Sequence, residues 1–325
     1  MQDTATRENP PAGARANART TEEIAHGIRV RVFEHAMRNN GGYLSQACSA
    51  AEQLAFLYNE ALHLGPPTLP PVPEPFAGVP SADNPGYHTG AGYNGPAAPD
   101  HDRLFIAPAH YALVAYATLI EMGRMAPEAL EMFNKDGSSV EMIGAEHSPG
   151  MEVHNGTLGI GLSTAAGLAW ARRRRGEAGR VFAFLSDGEV QEGQFWEAVQ
   201  AASHHRLDNL IGLMDVNRQQ CDGAMASVME VGDIALKIEA FGGRALWADA
   251  HDLDALRGAL ATAHRGRPLI ILANSSPFRG MPTLQRRFPR LHYVRFTDED
   301  ERARYNREIA RALGVQPVAY GDGGT

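Results

Sequence analysis

Lysine is almost missing from this sequence. Only Lys135 and Lys237 are lysines among 325 residues; the other side chains of permanent positive charge are arginines. A mechanism built on a lysine Schiff base therefore has few candidates. Cysteine is equally scarce. Cys48 and Cys221 are the only two and form no C-x-x-C pair, which excludes a disulfide framework and points to a reducing compartment, the cytoplasm. A basic surplus is absent: Lys and Arg total 30 against 38 Asp and Glu, a net charge of −8. A general nucleic-acid binder, which needs a basic face, is not expected. No run of about 18 apolar residues occurs, so no membrane span is expected. The opening "MQDTATRENPPAGARANART" lacks the apolar stretch of a secretory signal and reads as a mobile tail over 1–20, with a second tail over 315–325. Internal repeats and heptads are also lacking.

What is present is material for a core. Hydrophobic residues make up 44 % of the chain, and 21–314 reads as a single domain. Helical patterns run through "EEIAHGIRVRVFEHAMRNN", closed by Gly41-Gly42, and "CSAAEQLAFLYNEALHLG". The stretch 66–102 is rich in Pro and Gly and holds neither a helix nor a central strand, so it reads as a functional or disordered insertion. The patterns "YALVAYATLIEMG" and "LSTAAGLAWARRRR" read as further helices. Beyond them, the apolar runs "RVFAFLSDG", "NLIGLMDVN", "RALWADA" and "PLIILANSS" alternate with helical stretches. Near-continuous apolar strands separated by helices predict an α/β fold: a doubly wound, mostly parallel sheet with helices on both faces. Ligands bind such sheets at the carboxyl ends of the strands.

Two of these strands end in Asp187-Gly188 and in Asn217, and 217 − 187 is 30 residues. One strand–helix–strand unit of that length returns the chain to the same sheet edge. A carboxylate, a carboxamide oxygen and the Gln219 carbonyl can then face one point, a set of hard oxygens that suits Mg²⁺. Gly188, without a side chain, lets a phosphate approach its N–H. The bland alternative is a turn with a helix cap. Other features read blandly too. "GIGLSTAAG" lacks the third glycine of a dinucleotide fingerprint. His204-His205 read as solvated, Arg172 to Arg175 as a helix end balancing its dipole, and Cys221 as a packed thiol.

The segment "SDGEVQEGQFWEAVQAASHHRLDNLIGLMDVNRQQCDG" resembles the thiamin-diphosphate motif, and more narrowly that of the transketolase family, with Ser186 in place of the usual glycine. "PGMEVHNGTLGIGLSTAAGLAWA", "DRLFIAPAHYALVAYATL" and "DAHDLDALRGAL" resemble further segments of that family. The resemblance implies the thiamin-diphosphate-binding fold, with thiamin diphosphate and Mg²⁺ as cofactors. It implies Asp187, Asn217 and Gln219 as metal ligands. Gly156, Leu158, Gly188 and Glu189 join these on the cofactor. His110 and His292 would reach diphosphate and substrate, and Glu192 would stand at a subunit interface near the cofactor. His147, in "GAEHSPG", approximately matches a second family histidine that contacts sugar. A first one, before the second helix, is missing, with Tyr43 or Gln46 nearby.

No stretch resembles the family's pyrimidine domain, which supplies the glutamate for the cofactor ring. The resemblance therefore implies a diphosphate-binding subunit of a split transketolase. It would transfer a two-carbon ketol unit from a ketose to an acceptor and assemble as α2β2 with a separately encoded pyrimidine-domain subunit. The docking face is expected around "EGQFWEAV", with Phe195 and Trp196 exposed. Two alternatives are a subunit delivering a two-carbon acyl unit to a lipoyl or carrier-protein acceptor, and a non-catalytic regulatory subunit.

Overall fold

A computed structural model describes residues 18–79, 81–154 and 156–320. The first helix, α1 (Thr21–Arg38), begins with a reciprocal cap. The Thr20 hydroxyl accepts from the Glu23 amide, and the Glu23 carboxylate accepts from the Thr20 amide. Two donors that every helix start leaves free are thereby satisfied. Ile24, Ile28 and Val32, at helical spacing, turn inward. They meet α2 (Leu44–Phe56), which is buried along its whole length. Between the two helices, Gly41–Gly42 pairs antiparallel with Val294–Arg295. A Cβ on Gly41 would stand 3.0 Å from the Val294 carbonyl oxygen, so the close approach requires bare backbone there.

The sheet begins at β1 (Arg103–Ile106), followed by α3 (Ala112–Glu121) and α4 (Ile160–Arg175). It continues as β2 (Val181–Ser186), α5 (Gly193–His204), β3 (Leu210–Val216), α6 (Ile234–Ala240) and β4 (Arg244–Asp249). It closes with α7 (Leu253–Leu260), β5 (Leu269–Asn274) and α8 (Glu299–Leu313). The strand order is β1-β2-β3-β5-β4, with every pair parallel. Side chains alternate along each strand. Phe182 and Phe184 join the core under α1, α2 and α3. Val181, Ala183 and Leu185 join the core under α4 and α5. The expected architecture, a parallel sheet covered on both faces, is the observed one.

Among its described residues, the 66–102 stretch carries a 3₁₀ turn at Gly90–Asn94 and a lone bridge between Ser81 and Asn84. Its end is fastened by an arginine that reads in the sequence as part of a helix end balancing its dipole. Arg172 is 2 % exposed and donates to the carbonyls of Ala98 and His101. Burial is tolerable because those carbonyls and Glu177 surround the guanidinium. Arg173, Arg174 and Arg175 do face solvent, as do His204 and His205. Of the expected tails, 1–17 and 321–325 lie outside the described residues. The described remainder is packed: Asn306 exchanges two hydrogen bonds with the Val318 backbone, and Val315 and Tyr320 lie against the core. No helix of the described residues is long and apolar enough to cross a membrane.

Candidate active site

The register of β2 on β3 pairs Ser186 with Asp215, so the carboxyl ends of the two strands open at one point. A cleft of about 370 Å³ lies at that edge. It gathers Gly188, Asn217 and Gln219 with Gly156 and Leu158, which precede α4, and with His110, His292 and Glu192. These were picked out as residues of one site, and the fold brings them together.

Asp187 begins the 3₁₀ turn after β2 and is 1 % exposed. Its Oδ2 accepts from the Arg218 amide at 2.5 Å. Arg218 adopts a φ of 60°, which turns that N–H back toward the carboxylate. Its Oδ1 is buried and has no partner. Burial first, and the nearby Asp215 second, push the Asp187 carboxyl well above the ordinary carboxylate range. A buried carboxylate with a free oxygen is short of a cation. The Asn217 Oδ1, which accepts from the Gln219 amide at 2.9 Å, and the Gln219 carbonyl complete a set of hard oxygens. The residues present thus fit Mg²⁺ better than a thiolate- or imidazole-bound metal.

Glu189 lies behind this edge rather than in it. It is fully buried, and its carboxylate accepts from the amides of Ser186 at 3.0 Å and Gly159 at 3.3 Å. It ties the turn after β2 to the start of α4 and does not line the cleft. Burial pushes its carboxyl up to about 7 against the pull of those two amides.

His110 and His292 stand with ring centroids 4.9 Å apart. Tyr43 packs edge-on against His292 at 5.6 Å and is tilted against His110 at 6.3 Å. It supports both imidazoles from behind, whereas Gln46 lines the cleft and donates to the His292 carbonyl at 3.0 Å. Of the two residues near the missing family histidine, Gln46 is the one that reaches the cavity. Burial first and His292 second push the His110 imidazole down to about 3. His110 is therefore neutral, with one ring nitrogen to donate and one to accept. We expect an NMR titration to find it uncharged from pH 8 down to about pH 5. Its ordinary value is about 6.5, so between there and pH 3 the folded chain binds fewer protons than the unfolded one. Stability from this group is complete above that window and is lost as pH falls through it. An imidazole titrating near its ordinary value would contradict the desolvation of this half-buried ring.

Besides Glu189, three expectations are corrected. His147 is not in the cleft: it lies against Phe76, ring centroids 4.2 Å apart, beside Glu141. The short "GAEHSPG" segment turns it toward the 66–102 stretch. Phe195 is 0 % exposed, and Trp196 is half-buried with its indole N–H on the Val190 carbonyl. The helical repeat Phe195, Ala198, Val199, Ala202 faces the core, so this stretch is no apolar docking face. The apolar side chains left in solvent near the cleft are Ile143, Val228 and Met229, with Trp170 out on α4. Cys221 is not packed either: it is exposed and lines the cleft, whereas Cys48 is fully buried and its thiol is pushed up to about 12. Glu192 stands exposed at the lip, at the start of α5, open to a second chain.

A further residue escaped the sequence reading. Asp215, 0 % exposed, accepts from Ser49, Gln53, Tyr111, Asn217 and Ser275. The Asp-x-Asn order at the end of β3 is its only local signal.

A doubly wound parallel sheet with an oxygen-lined cleft at two adjacent strand ends is the architecture of a thiamin-diphosphate-binding domain. Residues 91–288 match the family described as transketolase, thiamine diphosphate binding domain. The chain belongs to the transketolase family. It is 33 % identical over 291 residues to y4mO, an uncharacterized transketolase family protein of Sinorhizobium fredii, covering 86 % of this chain and 94 % of that one. It is 29 % identical over 259 residues to the 6-deoxy-6-sulfo-D-fructose transketolase subunit SqwG of a Clostridium species, covering 79 % and 84 %. Human transketolase-like protein 2 is 30 % identical over 267 residues, but the chain spans only 38 % of that protein's length. The crystal structure of Campylobacter jejuni transketolase superposes with a TM-score of 0.71 at 20 % identity, over 91 % of this chain and 43 % of that one.

Proposed function

We propose that this chain is the diphosphate-binding subunit of a two-component transketolase, moving a two-carbon ketol unit from a ketose donor to an acceptor. The observation that carries the reading is the buried, unpartnered Oδ1 of Asp187 beside Asn217 and Gln219 at the mouth of two parallel strands. Those three residues would hold Mg²⁺ through oxygen, and the metal would neutralise a diphosphate whose oxygens approach the Gly188 N–H. Gly156 and Leu158 would meet the aminopyrimidine end with backbone groups. Thiamin diphosphate, when bound, supplies the carbanion stabilisation that ketol transfer needs. The chain's own residues do the rest. His110 is neutral and offers one donor and one acceptor to substrate hydroxyls, His292 borders the same space, and Gln46 offers an amide where the family has a histidine. The closing walls and the pyrimidine-side glutamate would come from a second chain, and the likeness to the SqwG subunit supports that arrangement. The complex is expected to be α2β2 and to work in the cytoplasm.

The test is co-expression with a candidate second chain, calorimetry with thiamin diphosphate and Mg²⁺, and a screen of ketose donors. Metal-dependent cofactor binding and two-carbon transfer are expected. Absence of cofactor binding with every hard divalent ion tried would remove the reading.

A further inference from the structure

We propose that Asp215 is a positioning residue that fixes which end of the Asn217 amide faces the metal-binding edge. The inference rests on the reading of that edge given above. Five donors converge on Asp215: the hydroxyls of Ser49 at 2.6 Å, Tyr111 at 2.7 Å and Ser275, and the amides of Gln53 at 2.9 Å and Asn217 at 3.1 Å. That is the complement of an ionised carboxylate, which only accepts. Ser49 and Tyr111 have one hydroxyl hydrogen each, and both are spent on Asp215. What they turn toward Asn217 is therefore a lone pair. The Asn217 Nδ2 answers with contacts at 3.1 Å to Tyr111 and 3.4 Å to Ser49. Three acceptors thus surround one end of the amide, and none of them tolerates a carbonyl oxygen in its place. The Asn217 Oδ1 is forced outward, to the side of Gln219 and the cleft.

The chemical consequence is selection between two ends of nearly equal size. A flipped Asn217 would fill the same space and present an NH₂ group to a cation, which cannot ligate it. Asp215 excludes that state because the flip would set oxygen against carboxylate. Replacing it by leucine, which is near it in shape and has no polar side-chain atom, removes the bias. Ser49 and Tyr111, no longer held by an acceptor there, can turn their hydroxyl hydrogens toward Asn217 instead. Gln53, whose Oε1 lacks a partner, can turn over. The pocket keeps its shape and loses its instruction.

The test uses the full chain and the half of the cofactor it is read to hold: Mn²⁺ with inorganic diphosphate, followed by electron paramagnetic resonance of free Mn²⁺. We expect Asp215→Leu to weaken Mn²⁺ binding about 10- to 100-fold, the range for lost support behind a metal ligand. The Asn217 side-chain amide hydrogens, slow to exchange in the unaltered chain, should exchange faster in the variant. Tyr111→Phe keeps the ring, removes one of the three acceptors, and should weaken binding several-fold; it decides the matter should Asp215→Leu fail to fold. Binding within twofold of the unaltered chain in whichever of these variants folds would overturn the inference. Failure of the unaltered chain to take up Mn²⁺ with diphosphate would instead remove the reading of the site, and the inference with it.

Discussion

Asp187→Asn is expected to bind Mg²⁺ and thiamin diphosphate about 100-fold more weakly, or worse, and yet to melt at a higher temperature without ligand. The two effects have one cause. In the free chain the Asp187 carboxylate is buried, one oxygen has no partner, and Asp215 lies close by. Each of these disfavours the charge, and leaving a buried acceptor unsatisfied costs about 1–3 kcal/mol. Asparagine has the same outline and no charge. For a chain of this size, about 1 kcal/mol corresponds to about 2–4 °C in melting temperature. Bound metal reverses the sign. A cation then compensates the carboxylate, and an amide oxygen in its place leaves the diphosphate charge poorly balanced; a hundredfold loss is about 2.8 kcal/mol. Calorimetry with Mg²⁺ and thiamin diphosphate, paired with thermal melts with and without both, reads the two effects separately. An Asn variant that melts lower and binds as the unaltered chain does would remove Asp187 from the metal edge.

A chain of these 325 residues on its own should show ketol transfer at least 10²–10⁴-fold below that of its complex with a second chain, the share that positioned acid–base groups supply. The family match covers the diphosphate-binding domain, while human transketolase-like protein 2 extends well beyond the matched part. y4mO and SqwG, by contrast, are close to this chain in extent, and SqwG is named a subunit. A surface open to a second chain lies beside the cleft. Glu192 stands free at the lip, and Ile143, Val228 and Met229 leave apolar area in water beside the cleft. Apolar area grouped at a cleft rim is characteristic of an interface. Adding the second chain should restore turnover and yield a heterotetramer by light scattering. Transfer of a two-carbon unit by the isolated chain, at the rate of the complex and free of host enzyme, would end the two-component reading.

Much of this site can be read in the linear text. Four of the five strands announce themselves as apolar runs, and the 30-residue spacing of Asp187 and Asn217 encodes their meeting at one sheet edge. β1 is the strand without such a signal, because its apolar run is short, Leu104 to Ala107, and Pro108 follows at once. Phe195 sits in a segment that carries the exposed Glu192, yet the helical repeat it shares with Ala198 and Val199 faces the core. His147 was placed by analogy of order, and order does not say which way a short loop turns its side chain. Asp215 was the hardest to see. Its partners at 49, 53, 111 and 275 come from three separate stretches of chain, and no spacing in one dimension expresses their convergence.

The contrast between the two cysteines has a practical side. Cys48 is shut in the core with its thiol held protonated, and Cys221 opens on the cavity wall. A thiol reagent of moderate reactivity therefore has one address on the folded molecule, and that address is inside the cleft. A fluorophore or spin label attached there needs no engineered background. Its signal reports directly on whatever fills, dries or covers the cavity.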